Sequence, residues 1–266
     1  MAEITSTDRL ARAGYFARAA VYGLLGYLAF ASSGKAADGA KGVFDFVREI
    51  PAGKIVLVAL ALGLVAYALY KLAVAAFDLD GVGTDAKGVF KRIGSVAGGI
   101  AYLALAYAAV RISAGEGSNS GGAGPAGDVL RLPGGGVLLA AGGLGFLIAA
   151  AFQLRSAWTQ SFLRRIEPGA PPATAVVGRI GLAARSVVFA IIGWSLMKAA
   201  WSKNESEVRD LGGVLRDLHG SDVLYPLVAG GLVLFALYSA IEARYRIVPR
   251  VDIADEAARR GGTALR

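Results

Sequence analysis

Cysteine is absent from this chain of 266 residues, and histidine occurs only once, at His219. Without thiols the chain cannot form disulfide bonds, iron–sulfur clusters or thiolate metal sites. A single histidine in a polar connector cannot form a multi-histidine metal or haem site, and we expect it to be solvated. Charge is also scarce, since 18% of the residues are charged, whereas soluble domains have about a quarter. The hydrophobic share of 55% therefore favours a polytopic membrane protein.

Catalytic motifs are missing as well. No glycine-rich phosphate loop follows a strand pattern, no nucleophile elbow occurs, and no paired carboxylates share an apolar helix face. The middle parts of the apolar stretches offer only Tyr, Trp and Ser as reactive groups. We therefore expect no enzymatic activity, no cofactor and no bound metal.

The net charge of +8 indicates an acidic partner. No nucleic-acid recognition module surrounds the basic residues, so nucleic acid is not an expected partner. Basic residues beside membrane-spanning segments are attracted to anionic lipids of the inner leaflet, by about 1 kcal/mol each. The expected partners are the lipid bilayer, these anionic inner-leaflet lipids and other membrane proteins.

Six apolar stretches predict six transmembrane helices. Three carry no charge and would cross most of a ~30 Å hydrocarbon core at about 1.5 Å per residue. These uncharged stretches cover 93–110, 132–154 and 223–241. The shorter stretches at 19–33, 55–70 and 186–197 reach full length by including Arg18, Lys71 and Arg185, respectively.

The six stretches form three copies of one two-helix unit. Adding 80 and then 87 to first-helix positions carries Arg12 to Arg92 and Arg179, and Tyr22 to Tyr102 and Phe189. Adding 82 and then 86 to second-helix positions carries Gly63 to Gly145 and Gly231, and Tyr70 to Phe152 and Tyr238. Such a period indicates internal repetition. The predicted fold is all-α, with three parallel two-helix repeats in a pseudo-threefold arrangement. The repeats cover 10–78, 90–160 and 177–248, and a basic cytoplasmic tail covers 249–266.

The distribution of Lys and Arg predicts the topology. The first apolar stretch follows basic residues and imitates a signal peptide, but its equivalents at 92–113 and 179–200 are internal, so it is retained as a helix. The side that holds both termini carries 16 Lys and Arg residues, and the other side carries 10. This excess places both termini in the cytoplasm of a multi-pass protein of the bacterial inner (plasma) membrane.

The outer connectors contain a second kind of helix. Val43, Phe46, Val47 and Ile50 have the i, i+3, i+4, i+7 spacing of a short amphipathic helix, and the stripe recurs in the third copy. The recurring residues are Leu211, Val214, Leu215 and Leu218. These helices would lie along the outer membrane face or cap the bundle. The second copy has a flexible Gly- and Ser-rich connector at 115–124 instead.

Charged residues within or beside the apolar stretches are the candidate functional residues, because intramembrane charge usually marks function. They form a possible charge network at the inner mouth of the bundle, made of Arg18, Lys71, Arg155, Arg185 and Glu242. Arg18 and Arg185 are repeat equivalents with Gly98 between them, and Lys71 aligns with Gln153 and Ser239. The basic side chains could simply extend to lipid phosphates, or they could form an ion or proton gate. Glu242 needs a cation, and we expect Arg18, Arg185 or Arg155 to pair with it.

Recurrent glycines and aromatic residues resemble a known family. Each first helix opens with Arg-x-Gly, and the second helices of copies one and three carry Gly-x3-aromatic-x2-aromatic, whereas copy two has Ala149 at the first aromatic position. The motifs are Arg12-Ala13-Gly14, Arg92-Ile93-Gly94, Arg179-Ile180-Gly181, Gly63/Tyr67/Tyr70 and Gly231/Phe235/Tyr238. Over residues 10–248 the chain resembles the bacterial membrane family called domain of unknown function 1206. The resemblance implies a bacterial membrane protein without an established activity, and it supplies no site residues.

Two functions remain open at this level. We expect a non-catalytic membrane component or scaffold that packs with other membrane proteins or lipids, because small residues and aromatics are typical of helix packing in lipid. The alternative is a small-solute or ion transporter or channel with a path along the pseudo-threefold axis, since parallel repeats occur in transporters. A polar cavity reaching mid-membrane would favour transport, and a centre filled by glycine and aromatic layers would favour a scaffold.

Overall fold

A computed structural model describes residues 6–31, 33–115 and 129–248. The described residues form no β-strand, only an isolated bridge between Ile166 and Arg246, and the predicted all-α fold is confirmed. The predicted basic tail 249–266 and most of the connector 115–124 lie outside the described residues. The long helices are α1 (Ser6–Ala31), α4 (Gly53–Phe77), α5 (Ala86–Ser113), α6 (Gly135–Thr159), α7 (Thr174–Ser202) and α9 (Leu224–Tyr245). The short ones are α2 (Ser33–Ala36), α3 (Gly39–Glu49) and α8 (Leu211–Leu218).

Five of the long helices are long and apolar enough to cross a membrane, namely α4, α5, α6, α7 and α9. The first helix has 26 residues, which corresponds to about 39 Å. Arg18 and several tyrosines make α1 less apolar than the other five. The chain is therefore a multi-pass membrane protein by the length and composition of five helices.

The helices α3 and α8 lie together at one end of the bundle, which we call the cap. Val43, Phe44 and Val47 form the buried face of α3, and Val214 and Leu215 form that of α8. The expected stripe of α3 is therefore shifted: Phe46 is half-buried, and Ile50, which follows the last helical residue, is 38% exposed. The two helices meet at glycines, because a Cβ atom at Gly212 would lie 2.3 Å from the backbone nitrogen of Gly39.

The opposite end, which we call the base, holds the starts of α1, α5 and α7 and the ends of α4, α6 and α9. Hydrogen bonds tie its connectors together: Ile247 N donates to Arg165 O at 2.9 Å and Glu167 N donates to Tyr245 O at 2.8 Å. Asp78 ends α4 in a left-handed conformation, with φ of 51°. Its carboxylate accepts hydrogen bonds from Val82 N and Gly83 N, each at 2.8 Å, and these bonds lower the pKa of Asp78.

Each long helix packs against one or two others, and these contacts follow the order of the repeats around the bundle. Contacts between successive repeats join α4 to α5, α6 to α7, and α9 to α1. Contacts within a repeat join α1 to α4 and α7 to α9. No comparable packing joins α5 to α6 among the described residues. The two helices of the second repeat therefore have different neighbours from those of the other two repeats.

Repeat-equivalent glycines show where packing is lost. A Cβ atom at Gly14 would lie 2.4 Å from Tyr67 Cβ, and one at Gly181 would lie 2.6 Å from Phe235 Cα. At Gly94, the equivalent position in the second repeat, nothing lies within 4 Å. The same is true of second-helix Gly145. We call the opening between α5 and α6, next to Gly94 and Gly145, the α5–α6 cleft.

An aromatic layer fills the interior at the contacts between repeats. Tyr67 packs edge-to-face on Tyr102 with ring centroids 4.6 Å apart, and Phe235 packs on Tyr22 in the same way at 4.8 Å. These two pairs are equivalent under the repeat offsets. At the third contact, Phe146 packs on Phe189 at 5.1 Å. Phe146 lies three residues before Ala149, on the same helix face, and so replaces the aromatic residue that copy two lacks.

Candidate functional site

The structure brings Arg18 and Glu242 together inside the bundle. The two side chains form an ion pair between α1 and α9, with Arg18 6% and Glu242 4% exposed. Arg18 also donates from Nη1 to the Tyr67 hydroxyl at 2.8 Å and from Nε to Ser239 Oγ at 3.1 Å. One guanidinium therefore joins α1 to α4 and α9. Such hydrogen bonding is what a buried charge requires.

Arg246 is a member of this network that sequence reasoning missed. Its Nη1 donates to Glu242 Oε1 at 2.6 Å, and its guanidinium lies over the Tyr15 ring at 4.9 Å. The predicted network did not include Arg246, which lies near the end of the third repeat. The i, i+4 spacing from Glu242 was the available signal, but it required knowledge of where α9 ends. Among the described residues, Arg246 Nε is the buried side-chain polar atom without a hydrogen-bond partner.

Arg185 has a different environment from its repeat equivalent Arg18. Its Nη1 donates to Gln153 Oε1 at 2.7 Å, and its Nε donates to the Tyr22 hydroxyl at 3.2 Å. The guanidinium lies 4.1 Å from the Phe189 ring centroid and 4.8 Å from that of Phe235, which places it on two aromatic faces. Within the described part of the chain no carboxylate pairs with it. The position equivalent to Glu242 in the second repeat is Ser156, which cannot neutralise the charge.

Lys71 completes a set of three cations at equivalent places. Ser239 and Gln153, the repeat equivalents of Lys71, accept hydrogen bonds from Arg18 and Arg185. At the third contact the arginine is replaced by Gly98, and a Cβ atom there would lie 3.6 Å from Lys71 Cε. The cation thus comes from the second helix where the first helix has glycine. We call Arg18, Lys71 and Arg185 the interface cations, because each lies where two successive repeats meet.

Arg155, the fifth residue of the predicted network, lies apart from it. Its side chain is exposed on α6, and its backbone carbonyl accepts a hydrogen bond from Thr159 Oγ1 at 2.8 Å. Arg155 is two residues after Gln153, so it points to another face of the helix. The structure therefore does not pair Arg155 with Glu242.

Two of the three arginines of the Arg-x-Gly motifs cap neighbouring helices at the base. Arg92 Nε donates to Ala75 O at 2.6 Å, and its Nη2 donates to Ala76 O at 3.2 Å. Arg12 donates to the equivalent carbonyls at the end of α9, those of residues 243 and 244. Carbonyls in the last turn of a helix have no partner within the helix and carry partial negative charge. The third arginine, Arg179, lies over the Trp158 ring at 5.5 Å.

Comparison with known proteins agrees with this repeated geometry. The sequence model of the family described as "Domain of Unknown Function (DUF1206)" matches residues 13–78, 93–160 and 180–246. The chain belongs to the DUF1206 family. This DUF1206 chain is also 30% identical over 253 residues to the uncharacterized protein YxxB of Bacillus subtilis (strain 168), covering 90% of each chain. No solved structure matches it.

The charge balance of the site indicates the chemistry that this DUF1206 protein can perform. The network contains Glu242 as its carboxylate and four cations, namely the interface cations and Arg246. The described residues contain no group of three or more His, Cys, Asp or Glu side chains that could hold a metal ion. An interior with excess positive charge can bind an anion, and the Arg18–Glu242 pair holds the first and third repeats together.

Proposed function

We propose that this protein crosses the bacterial inner membrane six times, with the base and both termini in the cytoplasm and the cap outside. Six spans in three parallel hairpins, pseudo-threefold in arrangement, are supported by the equivalent contacts of Arg12 with α9 and Arg92 with α4. The excess of Lys and Arg on the side of the termini supports the orientation. The amphipathic helices α3 and α8 then cap the bundle at the outer face.

In this membrane the protein acts as a non-catalytic scaffold that packs with other membrane proteins or lipids. The observation that carries this proposal is the aromatic layer, in which each contact between repeats holds an edge-to-face pair. A transport path along the pseudo-threefold axis would need polar groups and water at this depth. Packed aromatic rings occupy the interior instead, and the arginines there donate hydrogen bonds to protein side chains.

Reconstitution of the purified full-length chain into sealed liposomes tests the proposal. Liposomes that contain the protein should retain entrapped ions and small solutes as well as protein-free liposomes do. In parallel, photo-crosslinking groups on the exposed face of α6, at Leu138 and Leu144, should form defined adducts with lipid or a membrane protein in native membranes. An ion or solute flux that Arg185→Gln abolishes would overturn the scaffold in favour of a transporter or channel.

A further inference from the structure

The α5–α6 cleft opens toward the base half of the bundle. Beyond Tyr102, α5 is buried on its inner face, where Ala106, Ala109 and Ile112 are at most 3% exposed. Before Tyr102 it carries side chains such as Ile93 and Ile100, each 60% exposed. The apolar parts of α5 and α6 are only 22% and 17% buried, against 39–50% for the other candidate spans. The cleft is therefore a lateral opening with apolar edges, not an aqueous pore.

Both walls of the cleft carry a cation without a carboxylate. Lys71 lies against Gly98 of α5, and Arg185 is hydrogen-bonded to Gln153 of α6. Glu242, the carboxylate of the network, is already shared by Arg18 and Arg246. Placing an uncompensated cation among apolar helices is unfavourable, and a counter-ion is the ordinary remedy.

These cations have donor groups to offer a ligand. Arg185 uses Nε and Nη1 for its two hydrogen bonds, which leaves Nη2 available. Arg246 Nε is the fully buried side-chain atom left without a partner in the described ranges. The unbonded N–H groups of Arg185 and the ammonium of Lys71 are not among such buried atoms. They therefore retain surface that a ligand can reach. The guanidinium of Arg185 and the ammonium of Lys71 are both suitable donors to a phosphate group.

The depth of the cations matches a lipid headgroup. Lys71 and Gln153 each lie six residues before the last residue of their helix, Phe77 or Thr159, which is about 9 Å from the base. A helix of 25 residues such as α4 is about 37 Å long, so centring it on a ~30 Å hydrocarbon core puts the cations about 5 Å inside the boundary. Extended Lys and Arg side chains cover that distance to reach phosphates.

We propose that the α5–α6 cleft binds one anionic phospholipid from the leaflet at the base. Arg185 and Lys71 bind the phosphate from the two walls, and an acyl chain lies beside Gly94 and Gly145, where no side chain fills the space. A lipid fits better than an aqueous anion because the opening faces sideways and has apolar edges. This inference rests on the proposed function, since it names the lipid partner of the scaffold.

Native mass spectrometry of the full-length protein in detergent, titrated with phosphatidylglycerol or phosphatidylcholine, tests the site. The wild-type protein should retain one phosphatidylglycerol and should bind phosphatidylcholine at least about tenfold more weakly. Both lipids carry a phosphodiester, but the choline cation of phosphatidylcholine offsets its charge and is repelled by the two cations of the cleft. The double variant Arg185→Gln/Lys71→Gln should lose that preference. Arg155→Gln, which removes an exposed arginine of α6 outside the cleft, should leave binding unchanged.

A second variant fills the cleft without changing its charge. Gly145→Leu should expel the lipid while the protein keeps its melting temperature, because nothing lies within 4 Å of the added Cβ. Equal binding of both lipids, or unchanged binding in Gly145→Leu and the double variant, would overturn the site. If inorganic phosphate displaces phosphatidylglycerol, the two cations bind an anion from water. If the wild-type protein is a dimer that Gly145→Leu dissociates, a second copy of the chain occupies the cleft. Both results also overturn the proposal.

The outcome for the lipid site is separable from that for the scaffold. A membrane-integrated protein that leaves liposomes sealed but shows no lipid preference would refute the site alone. Solute flux with a retained lipid preference would refute the scaffold alone.

Discussion

Arg18 of α1 and Glu242 of α9 form a buried ion pair although they lie 224 positions apart in the sequence. The pair joins the first repeat to the third, and Arg246 extends it at Glu242 Oε1. Breaking a buried pair by removing one partner is strongly destabilising, because the remaining charge stays uncompensated. We therefore expect the packing of α9 on α1 to depend strongly on Glu242.

Replacing Glu242 with glutamine should destabilise the protein by about 3–5 kcal/mol. The change leaves Arg18 and Arg246 without a carboxylate while the size of the side chain stays the same. Thermal unfolding of the purified variant in mild detergent measures the effect. The matched control is Glu49→Gln, whose pair with Lys35 is exposed and should contribute at most about 1 kcal/mol. Unchanged melting of Glu242→Gln would contradict the structural role of the pair.

The repeat-equivalent glycines allow a test of the packing order. Gly181→Ala should destabilise by about 1–3 kcal/mol, as overpacking does, because its Cβ would lie 2.6 Å from the backbone of Phe235. Gly94→Ala is the matched control at the equivalent position of the second repeat, and nothing there lies within 4 Å. It should cause no loss, or a gain of up to about 1 kcal/mol from helix propensity. Equal losses at both positions would mean that α5 packs on α6 as the other pairs do.

Much of the architecture could be predicted from periodicity. The first-helix offset aligns Arg12 with Arg92, and the second-helix offsets align their carbonyl partners, Ala243 at the end of α9 and Ala75 at the end of α4. Periodicity could not predict that, among the described residues, the two helices of the second repeat fail to pack on each other. An argument from repeats assigns the same contacts to every hairpin. The sequence offered three hints, namely Ala149 in place of an aromatic residue, Gly98 in place of an arginine, and the different connector of the second copy.

The candidate site was predictable only in part, for a similar reason. Charges within or beside the apolar stretches identified Arg18, Lys71, Arg185 and Glu242. Arg155 is exposed, however, and Arg246 was not among the predicted residues. Both differences arise near the end of a helix, where one or two residues decide whether a long side chain turns inward or outward. The second repeat has Gly98 where the other repeats have an arginine, and Lys71 of the neighbouring helix supplies the cation at this contact. That substitution could be recognised only from the contact between the two helices.

The carboxylate of Asp78 should make the base sensitive to acid. Hydrogen bonds from Val82 N and Gly83 N lower the pKa of Asp78 in the folded protein, so its contribution to stability is present above the unfolded pKa, about 3.9. That contribution is lost as the pH falls through the lowered pKa of the folded state. Melting curves from pH 7 down to strongly acidic buffer should therefore show a smaller acid-induced loss for Asp78→Asn than for the wild-type protein. Asp222→Asn, at an exposed position near the cap, should retain the wild-type pH profile.

The absence of cysteine allows the topology to be tested with single introduced thiols. A membrane-impermeant maleimide applied to intact cells should label Asp38→Cys at the cap and should leave Thr84→Cys at the base unlabelled until the membrane is opened, since both positions are exposed on the protein. Because α1 alone separates the N-terminus from Asp38, an N-terminal tag that is protected while Asp38→Cys is labelled would show that α1 crosses despite Arg18. Arg18 can be accommodated there because Tyr67, Ser239 and Glu242 accept its hydrogen bonds inside the bundle, so its charge does not face lipid. Labelling of Asp38→Cys and the tag from the same side would instead leave five spans, and it would place the two termini on opposite faces of the membrane.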